Sequence, residues 1–220
     1  MCEIPDGSVD MILCDLPYQM TQNKWDKLLP LDVLWREYRR IIKRNGAICL
    51  FAMPPFSVNL AGGGMDILRY SWYWHKPHTG QLNAKKMPLK NVEEIMVFYS
   101  EQPTYNPQFA MGTPYVVSRK NYKGSECYGS QRDHATVSDG RRYPTQILDY
   151  KVEGKRIHPT QKPLALCEYL IKTYTNPGEV VLDNCMGSGT TCLAAKNSGR
   201  NYIGFELNEE YFEIARQRLA

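Results

Sequence analysis

The segment Val180-Val181-Leu182-Asp183-Asn184-Cys185-Met186-Gly187-Ser188-Gly189-Thr190-Thr191 constrains the fold more than any other stretch of the chain. Its apolar start reads as a buried strand, its glycines permit a sharp turn and close approach of a ligand to the backbone, and a helix opens at Thr190. Seventeen positions after Gly189 a second apolar run, Tyr202-Ile203-Gly204-Phe205, ends in Glu206. A carboxylate there can accept both hydroxyls of a ribose, as the acid does in dinucleotide-binding sheets. The pair of features marks an adenosine-bearing ligand. The plainer alternative is that Gly187 and Gly189 only make a tight turn and that Glu206 is a solvated strand end. No Lys follows the glycines, which argues against a phosphate-cradling loop, and Cys192 stands where a dinucleotide site would carry a third glycine or an alanine. A sulfonium nucleoside fits better than NAD or ATP.

The same alternation of strand and helix runs through the chain. Val9 to Cys14 is an apolar run that follows the turn residues Pro5-Asp6-Gly7-Ser8 and stops at Asp15 and Pro17. From Leu31 to Lys43 the apolar positions Val33, Leu34, Tyr38, Ile41 and Ile42 follow helical spacing, with Asn45-Gly46 as the stop and Gly46 to Phe51 as the next strand. Tyr70 to Trp74 and Ile95 to Tyr99 read as further strands. A proline-bounded helix is expected over Leu164 to Tyr174. The pattern repeats as Glu179 to Asp183, Thr190 to Ser198, Asn201 to Glu206 and Asn208 to Leu219. It predicts an α/β fold with a doubly wound parallel, Rossmann-like sheet. Between Glu101 and Arg156 the chain is rich in Pro, Gly, Tyr, Ser and basic residues, shows little periodicity, and exceeds the usual length of a connection. It reads as an insertion.

A chain of 220 residues with 43% hydrophobic content can bury one full core. The 27 Lys and Arg against 23 Asp and Glu leave a charge of +4, which permits an anionic partner without demonstrating one. Cys2, Cys14, Cys49, Cys127, Cys167, Cys185 and Cys192 are odd in number and lack metal-ligand spacing, so they read as reduced thiols in a cytoplasm, with no metal site. No apolar run approaches the roughly 18 residues that span a bilayer, and no secretion signal opens the chain, so no membrane partner is expected.

The chemistry of Asp15-Leu16-Pro17-Tyr18 is more specific. An exocyclic amino group on adenine or cytosine is a poor nucleophile because its lone pair is delocalised into the ring. A carboxylate and an adjacent backbone carbonyl, both accepting hydrogen bonds from that group, bias the nitrogen toward tetrahedral geometry aimed at a methyl sulfonium. Asp15 and the carbonyl of Leu16 supply both acceptors. Pro17 stiffens the turn, and Tyr18 offers a face on which a flipped base can stack. On its own, the tetrapeptide also reads as a strand end with a proline turn.

With its context, the chain resembles the amino-methyltransferases of DNA in the permuted order known as the beta class: catalytic motif first, target-recognition insertion next, cofactor glycines last. The resemblance covers nearly the whole chain and looks closest to a phage or prophage branch, next to restriction–modification enzymes. It rests on Asp15 to Tyr18 with Trp25-Asp26, Asn83-Ala84-Lys85-Lys86, Asn106-Pro107-Gln108, His158 to Pro163, Asp183 to Thr191 and Glu206. It implies a catalytic half over residues 1–100, a target-recognition insertion over 101–157 and a cofactor-binding half over 158–220 of one domain. S-adenosylmethionine is the implied cofactor, with Asp183, Asn184, Cys185, Gly187, Ser188, Gly189, Thr190, Glu206 and Asn208 around it and Thr160, Gln161 and Lys162 at its methionine end. Asp in the first motif position usually accompanies adenine and Ser cytosine, so the implied reaction is methylation of adenine N6 in double-stranded DNA. Cytosine N4 is the alternative. Relatives are often homodimers, so a homodimer is an expectation.

The chain departs from the family at Leu16 for a commoner proline, at Gln19 for glycine, and at Cys185 for phenylalanine. Relatives also carry a short strand and an acid before the equivalent of Glu3, where this sequence begins. The resemblance then implies weakened cofactor binding, or a non-catalytic DNA-binding subunit as a second alternative.

Between Tyr115 and Arg156 stand nine basic residues, Arg119, Lys120, Lys123, Arg132, Arg141, Arg142, Lys151, Lys155 and Arg156, against five acids. Tyr115, Tyr122, Tyr128, Tyr143 and Tyr150 are interleaved with them. Such a mixture pairs with phosphates and fills the gap left by an extruded base. Lys85, Lys86 and Lys90 extend the footprint. An ordinary solvated loop is the plain alternative for any one of them.

Overall fold

The first strand, β1 (Val9–Asp15), is apolar at nearly every position because it is covered on both faces. The computed structural model describes residues 1–18, 29–77, 84–119, 122–125, 129–131, 134–154 and 161–220, of which 119, 122–125, 129–131 and 134 are described by their backbone alone. After β1 come α1 (Leu31–Ile41), β2 (Ile42–Ala52), α2 (Phe56–Gly64), β3 (Leu68–His75) and β4 (Val92–Phe98). Short strands follow: β5 (Ala110–Met111), β6 (Tyr115–Arg119), β7 (Tyr122–Ser125), β8 (Gly129–Gln131), β9 (His134–Ser138), β10 (Arg141–Arg142) and β11 (Ile147–Asp149). The chain ends with α3 (Leu164–Tyr174), β12 (Val180–Asp183), α4 (Thr190–Asn197), β13 (Asn201–Gly204) and α5 (Glu209–Leu219). Two compact units result, residues 1–106 with 146–220, and residues 107–145. No described helix is long and apolar enough to cross a membrane.

The larger unit is built on a seven-stranded sheet in the order β11-β3-β4-β2-β1-β12-β13. Ile12 and Cys14 of β1 join Ile48 and Leu50 of β2 in a core with Leu34, Trp35 and Tyr38 of α1 and Leu60 of α2. Met11 and Leu13 point to the other layer, with Cys49, Leu166, Leu170 and Ile171 of α3 and Ala194 and Ala195 of α4. Each fully buried Leu or Ile contributes about 2–3 kcal/mol of apolar transfer. The α/β architecture expected from the sequence is present.

The structure departs from the sequence reading in four places. Within the seven-stranded sheet all neighbouring strands are parallel except β4, which runs antiparallel to both β2 and β3. The described part of the link between β3 and β4 contains no helix, and an antiparallel neighbour needs no helical crossover. Helix α1 stops at Ile41, and Asn45-Gly46 lies inside β2. The register there slips between the pairs Val9–Ile42 and Met11–Ala47, and a Cβ on Gly46 would lie 2.9 Å from the Asp10 carbonyl oxygen. That glycine permits close strand approach at a bulge and does not end the helix. Helix α2 has no counterpart in the sequence reading, because three consecutive glycines, Gly62 to Gly64, are poor helix formers. Burial of Phe56 and Leu60 and a bond from Trp35 Nε1 to the Leu60 carbonyl hold it. Strand β11, inside the stretch read as an insertion, pairs with β3 at the sheet edge.

Candidate active site

Strands β1 and β12 are parallel neighbours with Ile12 opposite Leu182, so both end at the same carboxyl edge of the sheet, with Asp15 two residues further along than Asp183 and level with the turn that follows β12. The chain leaves β1 toward β2 on one side and leaves β12 toward β13 on the other. A crevice opens where two such connections diverge, and open α/β sheets bind their ligands there.

On the β12 side, the turn is organised by its own backbone. The Cys185 N–H donates to Asp183 Oδ1 at 3.0 Å, and the Gly189 N–H to the Met186 carbonyl at 2.7 Å. Burial pushes the Asp183 carboxyl up to about 6, against the pull of the Cys185 N–H and of Thr191. Glu206 lies across the turn and accepts the N–H of Gly187 at 2.8 Å and that of Asn208 at 2.8 Å. The Asn184 side chain accepts the Tyr38 hydroxyl at 2.6 Å. Ser188 and Thr190 turn inward, and Arg218 of α5 donates to the hydroxyls of both. Asn208 caps α5 by accepting the Tyr211 N–H at 3.1 Å. Cys185, Phe205 and Glu206 are half-buried, and the Leu207 side chain beside them is fully exposed.

On the β1 side, Tyr18 donates to Asp15 Oδ1 at 2.8 Å and stacks on Phe56 with ring centroids 4.9 Å apart. Leu16 is buried and Pro17 half-buried. Lys162 places its ammonium 2.5 Å from Asp15 Oδ2 and 2.9 Å from Glu93 Oε1. Glu93, 4% exposed, also takes Lys76 at 2.5 Å. Burial raises the Asp15 pKa, Lys162 pulls it back, Glu93 pushes it up again, and the net result lies above the ordinary value. Burial also works against the charge on Lys162, but Asp15 and Glu93 overcome it and hold that ammonium firmly protonated. Glu93 shows the reverse balance: Lys162 and Lys76 overcome burial and keep its carboxyl below the usual range.

Sequence reasoning put Asp15 and Tyr18 together and Lys162 at the methionine end of the cofactor; the structure brings Lys162 onto Asp15, and Glu93, Lys76, Tyr38, Arg218 and Glu153 had no part in that reading. The signal for Glu93 is an acid pair, Glu93-Glu94, directly before the apolar run that starts at Ile95; in the structure the pair lies inside β4. Glu153 accepts the N–H of Leu164 at 2.9 Å and bonds Gln161, starting α3 from outside the helix. Asn106, quoted in the motif comparison, donates to the carbonyls of Lys172 and Thr175 and so closes the far end of α3. Thr160, Lys120, Trp25, Asp26, Asn83 and His158 lie outside the described residues, and the side chains of Arg119 and Lys123 do too.

Lys85 and Lys86 are exposed. Within the smaller unit, Arg141 pairs with Asp139 at 2.7 Å and lies over Phe109, while Arg142 donates to the Ser138 hydroxyl at 2.7 Å and lies over Tyr115. These two guanidinium groups therefore also brace the antiparallel pair of β5 and β10.

Fold and strand-end geometry define a Rossmann-like sheet of the S-adenosylmethionine-dependent methyltransferase type. The chain belongs to the DNA methylase family, whose model matches residues 9–217. It is similar to the DNA adenine methyltransferase YhdJ of Escherichia coli strain K12, 28% identical over 234 residues that cover 99% of this chain and 78% of the relative. Type II methyltransferase M.BglII of Bacillus subtilis is 28% identical over 245 residues, covering 100% of this chain and 66% of the relative. Among solved structures, the M1.HpyAVI–SAM complex superposes with a TM-score of 0.66 at 29% identity, over 96% of this chain and 89% of that one. The cytosine-N4-specific PvuII DNA methyltransferase reaches a TM-score of 0.70 at 17% identity, over 100% of this chain and 82% of that one, a likeness of fold alone.

Proposed function

We propose that this protein transfers the methyl group of S-adenosylmethionine to the N6 amino nitrogen of an adenine flipped out of double-stranded DNA. The observation that carries the proposal is the pairing of β1 with β12, which sets the Asp15 carboxylate beside the glycine turn. The residues at that turn fit an adenosine: Glu206 has lone pairs left for ribose hydroxyls, and the exposed Leu207 side chain suits a purine face. Asp183, Asn184, Cys185, Gly187, Ser188, Gly189 and Thr190 shape that turn, and Gln161 and Lys162, which precede α3, are assigned to the methionine end of the cofactor. When bound, S-adenosylmethionine supplies a methyl carbon made electrophilic by its sulfonium.

Asp15 and the Leu16 carbonyl accept the two amino protons and direct the nitrogen lone pair outward. Tyr18 holds one Asp15 oxygen and, stacked on Phe56, presents a π surface to the base. The amino nitrogen would take that methyl group, with the electron pair of the former S–C bond left on sulfur, and would give up one proton in exchange. Asp15, with its raised pKa, is the nearest acceptor for that proton. Lys85 and Lys86, and Arg119, Lys120, Lys123, Arg141 and Arg142 of the recognition segment, contact phosphates. Adenine is favoured over cytosine by Asp at position 15 and by the likeness to an adenine methyltransferase. A homodimer is part of the same proposal, checked by light scattering.

The test is incubation with labelled S-adenosylmethionine and DNA, followed by digestion and identification of the modified nucleoside. N6-methyladenine is expected. N4-methylcytosine would move the target to cytosine, and absence of any methylated nucleoside from protein that binds the cofactor would overturn the assignment.

A further inference from the structure

Lys162 is shared by two carboxylates, Asp15 Oδ2 at 2.5 Å and Glu93 Oε1 at 2.9 Å. The Tyr18 hydroxyl spans the same pair, 2.8 Å from Asp15 Oδ1 and 3.3 Å from Glu93 Oε1. Both Asp15 oxygens are therefore engaged by the protein itself, whereas the function proposed above needs one of them for a substrate amino group. We propose that Glu93 is a positioning residue that takes over Lys162 when the target amino group takes Asp15.

The proposal rests on that function and on the following geometry. A buried ammonium cannot give up a carboxylate without another at hand, since an uncompensated charge at such a site costs several kcal/mol. Glu93 is already in contact, so Lys162 needs only to turn its ammonium and the backbone can stay in place. Glu93 is also fixed, because Lys76 holds its second oxygen at 2.5 Å and itself lies 4.5 Å from the centre of the Trp74 ring. The two acids are unequal in access: the Asp15 side chain is 24% exposed and that of Glu93 5%. Asp15 can meet a base, and Glu93 can only serve its neighbours. The charged and titratable groups facing Asp15 are Lys162, Glu93, Tyr18, Asp183 and Cys167, with Lys76 behind Glu93. Among these described groups, loss of the Glu93 charge leaves Lys162 with Asp15 as its one contacting carboxylate and tightens the pair that substrate must open.

Glu93→Gln keeps the shape and removes the charge. Its single-turnover methyl transfer should fall by about 10- to 100-fold, with affinity for S-adenosylmethionine changed by less than about two-fold. In protein without cofactor, 13C NMR of carboxyl-labelled aspartate, assigned with Asp15→Asn, should show Asp15 titrating at lower pH than in wild type. Both the lost repulsion and the tighter Lys162 contact act in that direction. Glu93→Asp retains the charge and should recover the wild-type titration and much of the rate; it carries the test if the Gln variant does not fold. An Asp15 titration unmoved in Glu93→Gln, and unmoved between Glu93→Asp and wild type where only that variant folds while its rate collapses, overturns the proposal. A wild-type transfer rate in Glu93→Gln overturns it equally. Wild-type protein that methylates no DNA would instead remove the function proposed above, and the titration would still report whether Glu93 and Asp15 share Lys162.

Discussion

The ammonium of Lys162 lies 2.5 Å from Oδ2 of Asp15, although 147 positions separate the two in sequence. Burial lifts the Asp15 carboxyl above the ordinary range even with that cation in place. Transfer requires the ionised form to accept the amino protons, so the acid limb of the rate profile should lie above about pH 4, the range of a free aspartate. Asp15→Asn keeps the shape but loses the charge and the proton acceptor. We expect its single-turnover rate to drop by about 10³-fold, with cofactor affinity and melting temperature close to wild type. Retention of more than a tenth of the wild-type rate would remove Asp15 from the mechanism.

Asp183 predicts a pH dependence of stability. Its folded-state pKa is pushed up to about 6 by burial, above the unfolded value of about 4. Between those values the folded protein holds a proton that the unfolded chain has released. Stability therefore falls as pH rises through that window, by about 3 kcal/mol at most from this group. Asp183→Asn still accepts the Cys185 N–H and has no proton to lose. Urea melts at pH 4 and pH 7 should show the variant gaining on wild type at the higher pH; a difference between the proteins that stays constant with pH contradicts this.

How much of this was legible beforehand depended on whether a feature was local. The β12 turn and the acid of β1 were legible because strand, glycine and carboxylate follow one another in the chain, and order alone places them at a strand end. Lys162 was read from the His158 to Pro163 motif as a cofactor neighbour, but its bond to Asp15 arises only when α3 packs behind β1. Glu93 was unreadable for the same reason: its partners Tyr18, Lys76 and Lys162 come from just after β1, just after β3 and just before α3. Helix α2 was missed because packing on Trp35 overrides the poor propensity of its glycines. Asn45-Gly46 carried the sequence chemistry of a stop, and the β-bulge against Asp10 gave it another use.

Glu206 holds two backbone N–H groups, and each oxygen keeps a lone pair for a ribose hydroxyl. In Glu206→Gln one oxygen becomes an amide nitrogen, so either Gly187 or Asn208 loses its acceptor and the ribose loses one as well. Cofactor affinity measured by calorimetry should fall by about 10- to 100-fold, the worth of one hydrogen bond to a charged group. At saturating cofactor the single-turnover rate should stay within a few-fold, because Asp15 is untouched. A large loss of rate at saturation would mean that Glu206 also positions the methyl group.

Gly189 combines two demands that no other residue meets. Its φ of +78° is left-handed, which costs an L-residue about 1–2 kcal/mol. A Cβ there would also sit 2.9 Å from the Ala215 Cβ, so α5 would have to move away from the first turn of α4. Gly199 supplies the control, since its φ of +74° is similar but a Cβ there meets nothing within 4 Å. Gly199→Ala should therefore show the backbone cost alone, a fall of about 2–8 °C in melting temperature for a chain of this size, with cofactor binding unchanged. Gly189→Ala should fall further and bind S-adenosylmethionine more weakly, because a displaced α5 carries Arg218 and its bonds to Ser188 and Thr190 away from the turn. Equal losses in the two variants would show that the contact with Ala215 relaxes freely, and that α5 does not set the shape of the glycine turn.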